Sequence, residues 1–310
     1  MQVTSLEQVK PSSPYPLQLT RLKSDLILLL VAMVWGSAFV AQRVAANGLG
    51  VFLYNGFRYL LAALVVLPWV HFRPVIARKM WPWVLLAGLF LFGGSALQQA
   101  GLRSTTAGNA GFISSLYVVL VPLILAIGWR QHQGWNTWLA ALLAAVGLLF
   151  LSTGGELRLA SGDTLVLLGA FLWACHVITV GYVVQRMDVL HFAIGQFVAC
   201  GVMNLVVGLT SEWHTLGGLA QYGWSVAYVG IFSVALGQTL QALGQRHSPP
   251  ADASIILSAE SAFAALFGFI FLGETFGPSQ WLGAGLILVA MILAQLNNLR
   301  QRRSPQEETG

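Results

Sequence analysis

The amino-acid sequence predicts an all-α membrane protein of ten transmembrane helices, arranged as two inverted repeats of five helices. Two observations lead to this fold class: long apolar runs alternate with short polar connections, and the two halves resemble each other at a fixed offset. Of the 310 residues, 56% are hydrophobic and 9% are charged, whereas roughly a quarter of the residues in soluble domains carry charge. Since each crossing needs about 20 apolar residues, ten crossings use about 200 residues and leave short loops.

The apolar runs that are long enough to span the bilayer fall into two groups of five. Turn-forming pairs such as Asn47-Gly48 and Gly277-Pro278 separate neighbouring runs, because they supply positive φ angles or lack a backbone donor. The first group is predicted at Asp25–Ala46, Phe52–Phe72, Trp83–Leu102, Asn109–Trp129 and Trp135–Ser152, and the second at Asp163–Gln185, Leu190–Leu209, Tyr222–Leu243, Ala251–Leu272 and Gln280–Leu299.

The basic residues predict the orientation in the membrane. Cytoplasmic loops retain Lys and Arg, and the loops on the side shared by both termini are much more basic than the opposite loops, which hold Arg103 and Arg158. We therefore expect a multi-pass protein of the inner or plasma membrane with both termini in the cytoplasm. The basic balance reports topology and gives no reason to propose nucleic acid as a partner. The basic residues on the shared side are Lys10, Arg21, Lys23, Arg73, Arg78, Lys79, Arg130, Arg186, Arg246, Arg300, Arg302 and Arg303.

An internal repeat defines the two halves. Shifted by 143 residues, Leu97–Phe150 aligns with Leu240–Leu293 without a gap, and 15 of the 54 pairs are identical. Apolar composition alone would pair many Leu and Ala residues, but it would not align Gln, Arg, Ser, Gly and Trp in one register. A weaker alignment at a shift of 138 joins the first helix of each half. Informative pairs are Gln98/Gln241, Arg103/Arg246 and Ser115/Ser258 at the first shift, and Asp25/Asp163 and Trp35/Trp173 at the second.

A unit of five helices is odd, so the second copy enters the membrane from the opposite side. This inversion predicts that Arg103 and Arg246, although repeat partners, lie on opposite faces of the bilayer. Secondary transporters commonly use such a design, because two similar halves can exchange conformations and open a site between them to each side in turn. The predicted segments are a disordered cytoplasmic lead at 1–24, the first repeat at 25–155, the second repeat at 156–299 and a cytoplasmic tail at 300–310.

Several short motifs occur along nearly the whole chain. They are Trp35-Gly36-Ser37, Arg58 before a Leu/Ala run, Asn109–Ile113 with Tyr117–Pro122, Ser258–Ser261, Leu272-Gly273-Glu274 and Trp281–Ala284. The order and spacing of these motifs resemble those of the drug/metabolite transporter superfamily, in its EamA-type ten-helix branch. One departure is Glu260-Ser261, where the family often has Glu-Pro. The resemblance implies a transporter of small metabolites. Members of this family often move their solutes outward, and some of them export amino acids.

Polar residues inside the spans are the candidate binding residues, because they are costly in hydrocarbon and should face the bundle interior or a wet cavity. Gln98 and Gln241, as repeat partners, either bind a polar solute across the pseudo-axis or hold helices together. Trp35 and Trp173 lie near the midplane, where cavity lining is favoured over interfacial anchoring. The predicted substrate-binding residues are Trp35, Ser37, Gln98, Gln99, Asn109, Ser115, Tyr117, Trp173, His176, Gln238, Gln241 and Ser258.

Two charged residues within the spans have alternative interpretations. Arg58 lies early in the second helix, so we expect its side chain to extend to the external interface, with binding of an anionic substrate group as the alternative. Glu260 has Tyr117 as its repeat partner, which breaks the symmetry at an ionisable position. Proton coupling through Glu260 is one hypothesis, and a structural hydrogen bond is the other.

Other function classes fit the sequence less well. It contains no His-Glu-x-x-His, Gly-x-Ser-x-Gly or nucleotide-binding loop, so no catalytic residues and no cofactor are predicted. Cys175 and Cys200 lack the spacing of a metal site and are interpreted as packing residues. A secondary exporter of small metabolites, with the lipid bilayer as its surroundings, is therefore the main prediction. A channel, or a sensor or scaffold without transport, is the alternative, and a homodimer is left open.

Overall fold

All of the regular structure in the described part of the chain is helical. Among the residues that the structure describes, eight spans are long and apolar enough to cross a membrane, and two further apolar helices, Trp135–Phe150 and Trp281–Ala290, are shorter. The predicted all-α membrane class is thereby confirmed. The computed structural model describes residues 21–70, 77–153, 161–272 and 277–301.

The helices are numbered in chain order. In the first half they are α1 (Arg21–Ala45), α2 (Val51–Val66), α3 (Trp81–Gly101), α4 (Ala107–Ser115), α5 (Tyr117–Gly128) and α6 (Trp135–Thr153). In the second half they are α7 (Ser161–Val183), α8 (Val189–Ser211), α9 (Gly218–Tyr228), α10 (Thr239–Gly244), α11 (Pro250–Leu257), α12 (Glu260–Leu272) and α13 (Pro278–Gln301), with a π-helical segment, Val229–Gln238, between α9 and α10.

Two predicted boundaries change or remain outside the described residues. The lead was expected to be disordered over 1–24, but α1 begins at Arg21, so residues 21–24 are helical. The remainder of that lead, and Glu274 of the predicted ninth-helix motif, lie outside the described residues.

The fourth and ninth predicted spans are each broken into two helices, so the prediction of continuous helices was wrong there. The breaks fall at Leu116, between α4 and α5, and at Ser258-Ala259, between α11 and α12. At each break a backbone N–H bonds the carbonyl three residues earlier, as in a 3₁₀-helix, instead of the one four residues earlier. The Leu116 N–H donates to the Ile113 carbonyl at 3.2 Å, and the Ala259 N–H donates to the Ile256 carbonyl at 3.2 Å. Leu116 and Ala259 are 143 residues apart, the shift of the sequence repeat.

Serine side chains account for part of the break in the ninth span. The hydroxyls of Ser254, Ser258 and Ser261 each donate to a backbone carbonyl three residues earlier, at 2.7, 2.7 and 2.8 Å. Such local bonds occupy carbonyl oxygens of the helix and tend to bend it. Three carbonyl oxygens around the break thus have serine hydroxyls as partners where the helical hydrogen-bond pattern changes.

Glycine allows α1 to pack directly on α12. A Cβ atom on Gly36 would lie 2.5 Å from the Phe263 Cβ and 2.8 Å from the Glu260 carbonyl oxygen. The two backbones are thus in contact, which brings Trp35 to the level of the break that precedes α12. Gly147 has the same role between α6 and α13, because a Cβ there would lie 2.7 Å from the Gly283 carbonyl oxygen. Gly147 and Gly283 thus pack against each other within one chain.

Hydroxyl–carboxylate contacts connect the first helix of each half to a loop of the other half. The Ser248 hydroxyl donates to Asp25 Oδ1 at 3.3 Å. The Thr105 hydroxyl donates to Asp163 Oδ1 at 2.5 Å. Thr105 and Ser248 are aligned by the 143-residue shift, and Asp25 and Asp163 by the 138-residue shift. The same contact is therefore made twice by equivalent residues.

A second matched contact involves the two repeat-partner arginines. The Arg103 Nε donates to the Ala46 carbonyl oxygen at 3.0 Å, and the Arg246 Nε donates to the Val184 carbonyl oxygen at 3.2 Å. Ala46 and Val184 differ by 138 residues. Each arginine thus ties the end of the third span of its half to the end of the first span of the same half.

Candidate functional site

A cavity of about 540 Å³, measured together with its opening to solvent, lies where the broken spans meet α1, α2, α3, α7 and the π-helical segment. Discontinuous helices at corresponding positions of two halves are typical of solute sites in transporters. Polar and aromatic side chains supply most of its wall. The lining residues are Trp35, Phe39, Gln42, Arg58, Tyr59, Gln98, Ser114, Tyr117, Trp173, Val177, Ser233, Val234, Gln238, Gln241 and Glu260.

Glu260 occupies the first position of α12, directly after the break, and is 4% exposed. The Ser115 hydroxyl, at the end of α4, donates to Glu260 Oε1 at 3.1 Å, so one hydrogen bond joins the two broken spans. The Tyr117 hydroxyl lies beside the same carboxyl, but no group among the described residues is positioned to form a well-aligned hydrogen bond with it. Within the described residues no Lys, Arg or His nitrogen lies within 4.0 Å of this carboxyl. A buried carboxyl without a cation is suited to exchanging a proton or binding a cationic group.

Arg58 faces the cavity, so the prediction that it extends to the external interface was wrong. Its side chain is almost completely buried, and its Nη1 donates to Gln42 Oε1 at 2.7 Å. The guanidinium lies 5.3 Å from the ring centre of Tyr54 and 5.2 Å from that of Tyr59. These aromatic and amide contacts stabilise a cation away from water. Because the Arg58 Nε has no partner among the described side chains, this group can still donate to an anionic ligand.

Trp35 and Trp173 both line the cavity, as the sequence predicts, but they make different hydrogen bonds. The Trp173 indole donates to Gln98 Oε1 at 2.9 Å, and the Trp35 indole donates to the Ser233 carbonyl oxygen at 3.0 Å. These bonds use the polar edge of each ring, so the apolar faces remain for contact with a solute.

Gln98, Gln238 and Gln241 also line the cavity. Gln99 does not line it, and its Nε2 instead donates to the Gln42 carbonyl oxygen at 3.2 Å. That hydrogen bond ties α3 to α1 behind the site. The glutamine cluster of the third span therefore divides into one residue that faces the cavity and one that supports its wall.

Four other predicted residues support the wall without lining the cavity. Ser37 bonds the Val34 carbonyl oxygen and the Tyr228 hydroxyl, and Ser258 bonds its own helix. The fully buried His176 contacts Gln196 at 2.9 Å and the edge of the Trp173 ring. Ser115 reaches the site only through Glu260. The side chain of Asn109 lies outside the described residues.

Several lining residues were not predicted. Gln42 is polar and lies inside a span, so the rule that selected the other glutamines would also have found it. Ser114 donates to Gln98 Oε1 at 3.4 Å and is adjacent to the predicted Ser115. Ser233 is likewise a polar residue inside a span, and its backbone carbonyl accepts the hydrogen bond of the Trp35 indole. The apolar lining residues Phe39, Val177 and Val234 are indistinguishable in sequence from residues that face lipid.

Comparison with known proteins then identifies the family. The model of the EamA-like transporter family matches the chain twice, at residues 22–153 and 160–296. The chain belongs to the EamA-like transporter family. The earlier resemblance is thereby confirmed, and the family assignment indicates a transporter in a lipid membrane rather than an enzyme.

Relatives of the EamA-like chain carry the same general description. A protein of Archaeoglobus fulgidus named "Uncharacterized transporter" is 31% identical over 280 residues, covering 89% of this chain and 87% of its own length. The "Uncharacterized inner membrane transporter YedA" of Escherichia coli K12 is 23% identical over 279 residues, covering 87% and 89%.

The EamA-like chain also shares its fold with a protein of known crystal structure. That structure superimposes with a TM-score of 0.75 over 91% of this chain and 99% of the other, at 17% sequence identity. The likeness concerns the fold alone. Together with the apolar spans and the relatives' names, these comparisons place the chain among multi-pass membrane transporters.

Proposed function

We propose that this chain is a secondary active transporter that exports small zwitterionic metabolites, amino acids in particular, by alternating access of two inverted five-helix repeats. The observation that carries the proposal is the cavity, where an arginine, a glutamate, amide groups and two Trp rings line one space. Small-molecule sites typically combine apolar walls with a few polar groups that fix the orientation of the ligand. The outward direction follows the resemblance to the drug/metabolite transporters.

Arg58 and Glu260 suit the two charged ends of a zwitterion. Neither residue is the ion-pair partner of the other, because no nitrogen–oxygen distance between them is within 4.0 Å. A solute carboxylate would bind the guanidinium through charge-assisted hydrogen bonds. The Glu260 carboxyl would accept from the solute ammonium group, and would bind a proton when the solute leaves. Proton and solute then compete for one carboxyl, which couples their movement in opposite directions.

The inverted repeats, at 25–155 and 156–299, are supported by four features. The family model matches each half separately, the broken spans lie at equivalent positions, and the hydroxyl–carboxylate and arginine–carbonyl contacts each occur twice with equivalent residues. A fortuitous resemblance between apolar segments would not reproduce the same polar contacts. The repeat therefore provides the two similar halves that a rocking mechanism needs.

The matched contacts are suited to closing the two ends of the cavity. In the proposed topology Asp25 and Ser248 lie at the cytoplasmic end and Asp163 and Thr105 at the outer end. Arg21 strengthens the first contact, since its guanidinium bonds Asp25 at 2.8 Å and Asp252 at 3.0 Å. We propose that each contact breaks when its end of the cavity opens, while the other remains formed.

The inverted topology predicts opposite accessibility for two equivalent exposed residues. Ser104 and His247 are 143 residues apart, and each follows one of the repeat-partner arginines. Single cysteines at these positions should react with a membrane-impermeant maleimide from opposite sides, with Ser104→Cys labelled in intact cells and His247→Cys only in inverted vesicles. Both cytoplasmic termini, tagged and probed in the same preparations, should follow His247→Cys.

The labelling experiment uses a background in which Cys175 and Cys200 are replaced by Ala. A permeant maleimide, which should label both single-cysteine variants from either side, controls for folding and expression. Labelling of both positions from the same side would contradict the inverted repeat and, with it, the rocking mechanism.

Transport itself is tested by counterflow in liposomes that contain the purified protein. Vesicles loaded with an unlabelled amino acid should take up the same radiolabelled amino acid above its equilibrium level, because a carrier exchanges one molecule for another. Saturable counterflow for one group of solutes would establish a carrier and its substrate. Flux without saturation at channel rates would instead support a channel, and the absence of any flux across a metabolite library would support a sensor or scaffold.

A further inference from the structure

The two repeat-partner glutamines differ in how their amides are satisfied. Gln98 Oε1 accepts hydrogen bonds from the Trp173 indole at 2.9 Å and the Ser114 hydroxyl at 3.4 Å. Gln241 is fully buried and lines the same cavity, yet neither its Oε1 nor its Nε2 has a partner among the described residues. A buried amide without a partner is unfavourable in a folded protein. The unpaired state of Gln241 therefore points to a ligand that the cavity receives.

The cause of this difference is the position of Trp35. If the halves were fully symmetric, Trp35 would donate to Gln241 as Trp173 donates to Gln98. Its indole instead donates to the Ser233 carbonyl oxygen at 3.0 Å, within the π-helical segment Val229–Gln238. The π-helix is wider than the α-helix, and short π segments in proteins frequently occur at functional sites.

A glycine makes room for Trp35 beside this segment. A Cβ atom on Gly237 would lie 2.6 Å from the Trp35 Nε1, so only glycine fits there without a shift of the ring. Gly94, the repeat partner of Gly237, faces Trp173 in the other half with its built Cβ at 3.3 Å from the ring. The indole of Trp35 thus sits closer to the segment than its counterpart does, and it makes no hydrogen bond with the Gln241 amide.

The geometry points to Gln241 as a specificity-determining residue, with Gln98 as a positioning residue that holds Trp173. The Gln238 Oε1, on the neighbouring turn, is also buried and has no partner in the described part of the chain, so it adds an acceptor near Gln241. A carboxamide presents one acceptor and two donor hydrogens. The solute group that satisfies it is uncharged and both donates and accepts, such as a hydroxyl or a carboxamide. This assignment rests on the proposed transport function and names the part of the solute that the second half of the chain recognises.

Two matched variants test the assignment without reference to transport. Gln241→Leu removes an unpaired amide and should raise the unfolding temperature of the solute-free protein in detergent, whereas Gln98→Leu strips the partner of Trp173 and Ser114 and should lower it. We expect shifts of roughly 2–4 °C in opposite directions. Gln241→Met, which resembles glutamine in length, repeats the measurement in case Leu packs poorly. If both Gln241 variants lower the unfolding temperature as much as Gln98→Leu does, Gln241 is a structural residue and the assignment is overturned.

Counterflow of radiolabelled threonine and valine tests the recognition. These amino acids have nearly the same shape and differ by a hydroxyl in place of a methyl group. The wild type should favour threonine, and Gln241→Leu should reduce the threonine-to-valine ratio of counterflow roughly tenfold or more. Gln98→Leu should change this ratio much less. An equal loss of preference in both variants, or an unchanged ratio in Gln241→Leu, would overturn the assignment.

The unfolding temperatures and the counterflow measurements together separate this inference from the proposed function. If the wild type carries neither amino acid, the proposed substrate class fails, and the unfolding temperatures still decide whether the Gln241 amide is unpaired. If the wild type carries threonine but Gln241→Leu still prefers threonine to valine, the transport function is supported and the specificity role of Gln241 is contradicted.

Discussion

Replacing Glu260 with Gln is expected to uncouple transport from the proton gradient while preserving exchange of solute. If one proton exchanges for each solute molecule, a difference of one pH unit supports about tenfold accumulation, because one unit corresponds to about 1.4 kcal/mol. The amide of Glu260→Gln keeps the size of the side chain but cannot bind and release a proton. Accumulation should therefore fall from about tenfold to about onefold in liposomes with an imposed pH gradient.

Solute counterflow, measured without a gradient, is the readout that separates coupling from folding. It should persist in Glu260→Gln, since exchange needs no net movement of protons. The control variant is Ser115→Ala, which removes the hydrogen bond to Glu260 Oε1 but leaves the carboxyl in place, so the response to the gradient should be retained. A Glu260→Gln protein that still accumulates solute tenfold would show that the proton is carried elsewhere. Loss of counterflow together with accumulation would show that Glu260 is required for solute binding or for the fold, and not for coupling alone.

Replacing Arg58 with Gln should weaken the binding of solutes that carry a carboxylate. Hydrogen bonds to charged groups contribute about 1.5–3 kcal/mol, so the apparent affinity should fall roughly 10- to 150-fold. Competition with phenylalanine and with phenylethylamine, its decarboxylated form, measures this directly. The loss should affect phenylalanine much more than the amine. Arg58→Lys should restore only part of the affinity, because an ammonium group cannot reproduce the planar guanidinium that Gln42 and the two tyrosines hold.

Arg43→Gln is the matched control for this experiment. Arg43 follows Gln42 in the chain but does not line the cavity. Its replacement with Gln removes the same charge as Arg58→Gln does. Competition by both solutes should be close to that of the wild type. Equal losses for phenylalanine and phenylethylamine in Arg58→Gln would contradict carboxylate binding and would indicate that Arg58 holds the helices together.

The positions of the helices follow largely from the sequence, but their internal geometry does not. Hydrophobic length predicts a span well because hydrocarbon leaves the backbone no partner outside the helix. That argument is insensitive to the breaks at Leu116 and Ser258-Ala259, where one hydrogen-bond pattern replaces another at small cost. No glycine or proline marks either break. The π-helical segment likewise depends on the packing of Trp35 against Ser233 and Gly237, which are far from Trp35 in the chain.

Part of the cavity could be predicted because polar side chains are rare in spans. This rule found Arg58, Gln98, Gln241 and Glu260, but it could not say which groups face a solute and which support the wall. The misjudged Arg58 illustrates the difficulty. A long side chain near a helix end can reach the interface, and only the positions of Gln42 and the neighbouring tyrosine rings show that this one turns inward. Other candidates, such as His176, instead contact a partner inside the protein.

The unequal satisfaction of the two glutamines has a stereochemical consequence. Arg58, Glu260 and Gln241 are three chemically different groups on the wall of one cavity. Gln98, the repeat partner of Gln241, already uses its Oε1 in a hydrogen bond with Trp173. Mirror-image forms of an amino acid cannot present their carboxylate, ammonium and side chain to three distinct groups in the same arrangement. If the cavity binds amino acids as proposed, we therefore expect it to bind the L and D enantiomers with different affinities.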